Sequence, residues 1–133
     1  MPTRLFCAHC NHFVGHVDCP DPGQIGPHKL LVGPLVAVDA IVEYRGRILL
    51  VYRAKADDAE AGKWALPGGY VNYRERTRDA AVRETLEETG LELTSVELFG
   101  VYDDPRRDMF DDRNNVSVVY TGVGIGELRA ADR

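Results

Sequence analysis

Residues Gly68 to Leu91 read GGYVNYRERTRDAAVRETLEETGL, and the rest of the chain is interpreted outward from this stretch. Glu84, Glu87 and Glu88 stand at i, i+3 and i+4, immediately before Thr89-Gly90. A helix capped by the Thr77 hydroxyl and stopped by the glycine near Thr89 turns by about 100° per residue, so the three carboxylates share one face. Val82, Leu86 and Thr89 then fall on the opposite side, as a stripe expected to pack on a sheet. Ala80 and Ala81, one turn before the glutamates, are small enough to leave the acidic face open to something bulky.

Like charges at this spacing repel, at a cost of a few tenths of a kcal/mol per exposed i,i+4 pair. A divalent cation removes that cost, and hard carboxylate oxygens with no neighbouring Cys or His suit Mg²⁺ or Mn²⁺ rather than Zn²⁺. The competing interpretation is a solvated helix face on which Arg83 pairs with Glu87.

The order of residues favours the metal. Gly69, five residues, Glu75, seven residues, and then Arg83-Glu84-Thr85-Leu86-Glu87-Glu88-Thr89-Gly90-Leu91 resembles the signature of the Nudix hydrolases, with every charged and glycine position filled. Thr85 stands where the family usually has a larger aliphatic residue. A pattern of this length is far more specific than a lone glycine motif. The resemblance implies a Nudix α/β/α sandwich around a mixed sheet, and metal-dependent hydrolysis of a nucleoside diphosphate linked to another moiety. It implies metal ligands at Glu87, Glu88 and the Gly69 carbonyl. Glu84 is either a further ligand or the group that takes a proton from the attacking water, so Glu84 and Glu88 are the catalytic candidates. Glu75 and Arg83 are expected to form a salt bridge tying the loop to the helix.

Composition sets the outer bounds. A chain of 133 residues with 44% hydrophobic content is long enough for one real core, and its formal net charge of -5 offers no basic surplus for a broad nucleic-acid footprint. There is neither an apolar run of the roughly eighteen residues that a membrane helix needs nor a signal-peptide pattern, so the expected place is the cytoplasm and no membrane partner is expected.

All three cysteines fall early, as Cys7, Cys10 and Cys19, among His9, His12 and His16. Two interpretations stand: a Cys₃His zinc site made by Cys7, Cys10, His16 and Cys19, or a metal-free arm. Some Nudix enzymes of the NADH pyrophosphatase type carry a zinc ribbon at this place, but that ribbon has a second CxxC pair, whereas Cys19 is followed by Pro20-Asp21-Pro22. Asp18 to His28 holds three prolines and two glycines and reads as a linker, which divides the chain into an arm over 1–29 and a hydrolase domain over 30–133.

From Leu30 the pattern is strand-like. Leu35 to Val42 and Ile48 to Tyr52 are apolar runs joined by a turn over 43–47, which predicts an antiparallel hairpin. Ala54 to Gly62 reads as a loop. The KWALPGG segment from Lys63 to Gly69 is also Nudix-like, with Trp64 expected to pack rather than meet a ligand and Arg53 standing where relatives hold a substrate phosphate. Glu92 to Tyr102 and Val116 to Val123 alternate as two further strands. The chain then ends at Arg133, before the C-terminal strand and helix that Nudix domains usually add, so that sheet face is expected either to be exposed or to be covered by the partner in a homodimer.

Asp104-Pro105-Arg106-Arg107-Asp108, followed by Val116 to Tyr120, partly resembles the loop and strand of ADP-ribose pyrophosphatases, although Met109-Phe110 replaces the usual Pro-Arg and the loop is longer. The resemblance makes ADP-ribose the leading substrate, with Arg53 and Arg107 as substrate-binding candidates. NADH or another dinucleotide, and ordinary or oxidised nucleoside triphosphates, are the alternatives. Asp-Pro with nearby Arg is also ordinary turn chemistry. A non-catalytic Nudix sensor is the reading from another class; such sensors commonly lose motif glutamates, and here all are present.

Overall fold

In the computed structural model of the protein, the described residues are 6–7, 30–31, 34–54, 61–108 and 115–129. Strand β3 (Leu35–Tyr44) lies inside the main sheet, and its even positions explain why: Val38, Ala40 and Val42 are buried on one face. A turn at Arg45-Gly46, with both residues at positive φ, returns the chain into β4 (Arg47–Ile48), as a two-residue hairpin requires. The run expected as one strand from Ile48 to Tyr52 is split. Beyond the Leu49 N–H bond to the Val42 carbonyl (2.9 Å) the chain leaves β3, and β5 (Val51–Tyr52) pairs instead with β6 (Trp64–Ala65) in a separate ribbon.

Strand β7 (Gly68–Tyr70) takes the vacated edge of β3, with Ala37 opposite Tyr70 and Asp39 opposite Gly68. On its other side β3 pairs in parallel with β9 (Asn115–Ile125), which pairs antiparallel with β8 (Glu92–Tyr102). The result is a five-stranded mixed sheet in the order β4-β3-β9-β8, with β7 against β3. Parallel neighbours so distant in sequence need a long crossover, and this one carries helix α1 (Thr77–Thr89) across the sheet. Two short strands, β1 (Phe6–Cys7) and β2 (Leu30–Leu31), pair antiparallel ahead of the sheet.

The core lies between α1 and one sheet face: Val38, Ala40, Val42, Ala80, Ala81, Leu93 and Tyr120. This corrects the expected helix stripe. The buried residues of α1 are Ala80, Ala81, Thr85, Glu88 and Thr89, while Leu86 is 52% exposed. Ala80 and Ala81 do not clear space over the acidic face; their small size lets the helix backbone lie close to the sheet. Thr85 and Thr89 are buried because their hydroxyls donate to the carbonyls of Ala81 (2.8 Å) and Thr85 (2.6 Å), one turn back, leaving methyl groups to pack. Thr77 is not the cap either. Arg76 occupies that position without a side-chain capping bond, and the Thr77 hydroxyl meets the Tyr120 hydroxyl at 2.6 Å, joining helix to sheet. The expected stop is observed, with Gly90 left-handed at φ 76° and its N–H bonded to the Leu86 carbonyl.

The sandwich expected with helices on both faces shows one α-helix among the described residues. No helix among them is long and apolar enough to cross a membrane.

Candidate active site

Two elements meet at the site. The loop from β7 into α1 is closed by reciprocal bonds: the Asn72 N–H donates to Glu75 Oε1 (3.0 Å) and the Glu75 N–H to the Asn72 carbonyl (3.1 Å). Arg83 then ties that loop to the helix. Its Nε donates to Glu75 Oε2 at 2.8 Å and its Nη2 to Glu75 Oε1 at 3.0 Å, a two-pronged pairing that only a planar guanidinium supplies, and Nη2 also reaches the Tyr70 carbonyl at 3.1 Å. The salt bridge expected between Glu75 and Arg83 is therefore present. Arg83 first and the Asn72 N–H second hold the Glu75 carboxyl below its ordinary range against the opposing effect of burial. Glu75, and after it Glu84, pushes the Arg83 guanidinium further up.

The remaining nitrogen of Arg83 faces the acidic helix. Nη1 donates to Glu84 Oε1 at 2.8 Å and to Glu87 Oε2 at 3.2 Å. The pairing of Arg83 with Glu87, raised as the alternative to a metal site, thus coexists with the motif salt bridge. The three glutamates are not equivalent. Glu88 is only 7% exposed, and its Oε2 is buried and accepts no hydrogen bond; Glu84 is partly buried, and the side chain of Glu87 is 57% exposed. Gly69 lies against this group, since a Cβ there would stand 2.5 Å from Glu84 Oε1. The Glu84 carboxylate occupies the space that any other residue at 69 would fill.

Among the described residues no three Asp, Glu, His or Cys side chains already converge on one point. Arg83 stands between Glu84 and Glu87 and cancels part of their mutual repulsion, as a metal cation also does. The donor set nevertheless fits a hard divalent ion. It consists of carboxylate oxygens on one helix, one of them buried, beside a glycine whose missing side chain lets the Glu84 carboxylate lie against the loop backbone.

Other expected site residues are placed less directly. Arg53 follows β5, half-buried, and its backbone N–H donates to the Lys63 carbonyl at 3.0 Å. Arg107 lies in a 3₁₀ turn, Pro105–Asp108, with its side chain outside the described residues. In the same turn Arg106 folds back on Asp104, with bonds to that carboxylate from its own N–H (3.0 Å), Nε (3.1 Å) and Nη2 (2.8 Å), which is the ordinary turn chemistry raised from sequence. Of the zinc candidates, Cys7 contributes its backbone to β1; its side chain, with Cys10, His16 and Cys19, lies outside the described residues. Trp64, expected to pack, is 65% exposed. Single-residue hydropathy carries no signal for that.

The sequence profile of the NUDIX domain family matches residues 33–133, which include the whole glycine–glutamate–arginine framework. The chain belongs to the NUDIX domain family. It is 40% identical over 105 residues to an ADP-ribose pyrophosphatase of Methanocaldococcus jannaschii, a match that covers 79% of this chain and 60% of that protein. The crystal structure of a MutT NUDIX hydrolase from Burkholderia pseudomallei superposes with a TM-score of 0.66 at 37% identity, covering 75% of each chain. A bifunctional NMN adenylyltransferase/ADP ribose pyrophosphatase from Francisella tularensis, solved with AMP and a manganese ion, gives a TM-score of 0.61 at 29% identity over 75% of this chain and 32% of that one. The NUDIX chain spans about 60% of the archaeal relative's length. The mixed sheet and the α-helix of its described residues match the Nudix fold of these neighbours.

Proposed function

We propose that the protein is a divalent-metal-dependent hydrolase of nucleoside diphosphates linked to another moiety, and that ADP-ribose, cut to AMP and ribose 5-phosphate, is its substrate. The observation that carries this reading is the Glu84 carboxylate seated against Gly69 on the helix that also buries Glu88. The archaeal ADP-ribose pyrophosphatase at 40% identity supports the choice of substrate, and the manganese in the Francisella neighbour supports Mg²⁺ or Mn²⁺ as the ion.

A diphosphate linkage is protected because its anionic oxygens repel a nucleophile and its leaving phosphate needs charge stabilisation. A bound ion supplies charge neutralisation and a lowered pKa for water. Glu87, Glu88 and the Gly69 carbonyl would hold it, with Glu84 either beside them as a ligand or accepting the proton of the attacking water. The water oxygen bonds to one phosphorus, the bridging P–O bond breaks, and the bridging oxygen leaves on the other phosphate. Glu75 acts on position alone, by holding Arg83 and through it Glu84. Arg53 and Arg107 are assigned to substrate anions.

The test is turnover by purified protein with Mg²⁺ on ADP-ribose, NADH, diadenosine polyphosphates, nucleoside triphosphates and 8-oxo-dGTP, with products separated by chromatography. ADP-ribose should give AMP and ribose 5-phosphate with a higher kcat/KM than any triphosphate. A preference for a triphosphate with release of pyrophosphate would overturn the substrate assignment.

A further inference from the structure

The ladder between β8 and β9 ends at the pair Glu92–Ile125, just beyond the last residue of α1, Thr89. Strand β9 therefore delivers the chain to the C-terminal end of the helix. There Gly126, at φ 116°, turns it out of the sheet in a backbone conformation that residues with a side chain rarely adopt. The next residues cross the end of α1. The Arg129 N–H donates to the Thr89 carbonyl at 2.8 Å, and the hydroxyl of Tyr44, the last residue of β3, donates to the Gly126 carbonyl at 3.0 Å. The Arg45 guanidinium lies over the Tyr44 ring, 5.1 Å from its centroid. Residues Gly126 to Arg129 are thus tied at both ends, to a strand and to the helix.

These bonds meet a need of the helix. The last carbonyls of an α-helix have no partner within it. Here the Gly90 N–H takes that of Leu86, and the Arg129 N–H takes that of Thr89. The last turn also carries Glu87 and Glu88 at the negative pole of the helix dipole and has no basic residue of its own. Arg129 brings a cation there from outside. A Cβ on Gly90 would stand 2.9 Å from Arg129 Nε and 3.2 Å from the Glu127 carbonyl oxygen, so these residues lie directly across that glycine. Thr89 follows Glu88 in the chain, and a helix end that frays carries the Glu88 carboxylate with it.

We propose that Gly126 to Arg129 form a strap that fixes the last turn of α1, and with it Glu88, and that Tyr44 and Arg129 are positioning residues for the metal site. This deepens the hydrolase reading above and rests on it. The strap acts through the Thr89 carbonyl and touches no reacting atom.

Tyr44→Phe removes one tie and Arg129→Pro the other. In metal-free Tyr44→Phe the Gly90 and Arg129 amides should exchange hydrogen about fivefold faster than in the parent, the scale of one lost hydrogen bond, while the Ala80 amide near the start of the helix keeps its rate. Both variants should need about threefold more Mg²⁺ for half of the Mg²⁺-induced rise in Tm, because only the closed helix end holds Glu88 in place. Arg129→Ala keeps the N–H and should stay closer to the parent than Arg129→Pro does. If Arg129→Pro does not fold, Tyr44→Phe decides by itself. A strap with a merely structural role would lower Tm equally with and without Mg²⁺ and leave the half-saturating concentration unchanged. That result, or unchanged exchange at Gly90 in Tyr44→Phe, would overturn the assignment. Failure of the hydrolase reading shows separately, as a parent protein whose Tm does not respond to Mg²⁺, and exchange at Gly90 still decides the strap in that event.

Discussion

At the scale of single residues, the adjacent glycines at 68 and 69 are constrained by different neighbours, and that difference predicts different outcomes. A Cβ at Gly68 would land on the Val38 carbonyl oxygen and 3.1 Å from the Asp39 Cα, backbone atoms of the central strand that cannot turn aside. Gly68→Ala should therefore unfold or severely destabilise the protein, by about 3 kcal/mol or more in denaturant titrations. At Gly69 the obstacle is the Glu84 carboxylate, the far end of a side chain that can move if its bond to Arg83 breaks. Gly69→Ala should cost about 1 kcal/mol of stability but abolish most turnover on the reading proposed above, because it displaces the Glu84 carboxylate. Glu75 yields a prediction in pH. Its carboxyl is held below its unfolded value, so its contribution is complete above about pH 4.5 and is lost as pH falls through the lower folded value. Glu75→Gln should accordingly lose about 1–3 kcal/mol at pH 7, while the two proteins converge in stability as pH falls through the lowered value of the folded protein; a pH-independent gap in urea melts would contradict this.

At the scale of elements, α1 is held by small and self-satisfied side chains and not by its largest apolar residue. Leu86 faces water, so Leu86→Gln should change stability by no more than about 0.5 kcal/mol. Ala81 is fully buried where the helix meets the sheet, and Ala81→Leu should destabilise by about 1–3 kcal/mol, because no room exists for added methylenes. Paired thermal melts would check the order, which is the reverse of what hydropathy suggests. The Thr77–Tyr120 hydroxyl pair and the Arg83–Glu75 fork fix the start of the helix from two sides, which holds the glutamates in register with β7.

Across the whole molecule, the proposed metal binding would be linked to folding, because a cation that binds the folded glutamate helix and not the unfolded chain adds its binding energy to stability. At ten times its dissociation constant Mg²⁺ should add about 1.4 kcal/mol, a rise of several degrees in Tm. Glu88→Gln should remove that rise and lower turnover by about 10³-fold while the fold persists. A variant in which both remain unchanged would show that the acidic face is a solvated surface. The sheet that carries the helix is covered by α1 on one face, and Val123 and Ile125 of β9, which alternate with the buried Gly122 and Gly124, are exposed.

The spacing from Gly69 to Leu91 is legible in residue order because each relation in it is short-range: i, i+3 and i+4 on one helix, a glycine stop, and an arginine within reach of a loop carboxylate. The strands at Leu35 and Glu92 are legible for the same reason, since alternation along a strand reports burial on one face, and the family resemblance follows from these local patterns. Three further features came from packing across the chain. Thr85 and Thr89 read as polar until their hydroxyls are seen bonded to the preceding turn, after which they are buried surface and Leu86 is turned outward. The Ile48 to Tyr52 run reads as one strand until β7 takes the edge of β3 and leaves Val51–Tyr52 to pair with Trp64–Ala65. The burial of Glu88 against the exposure of Glu87 and Trp64 depends on which neighbours the sheet brings near. Residues far apart in sequence share those neighbours, and no window along the chain contains them.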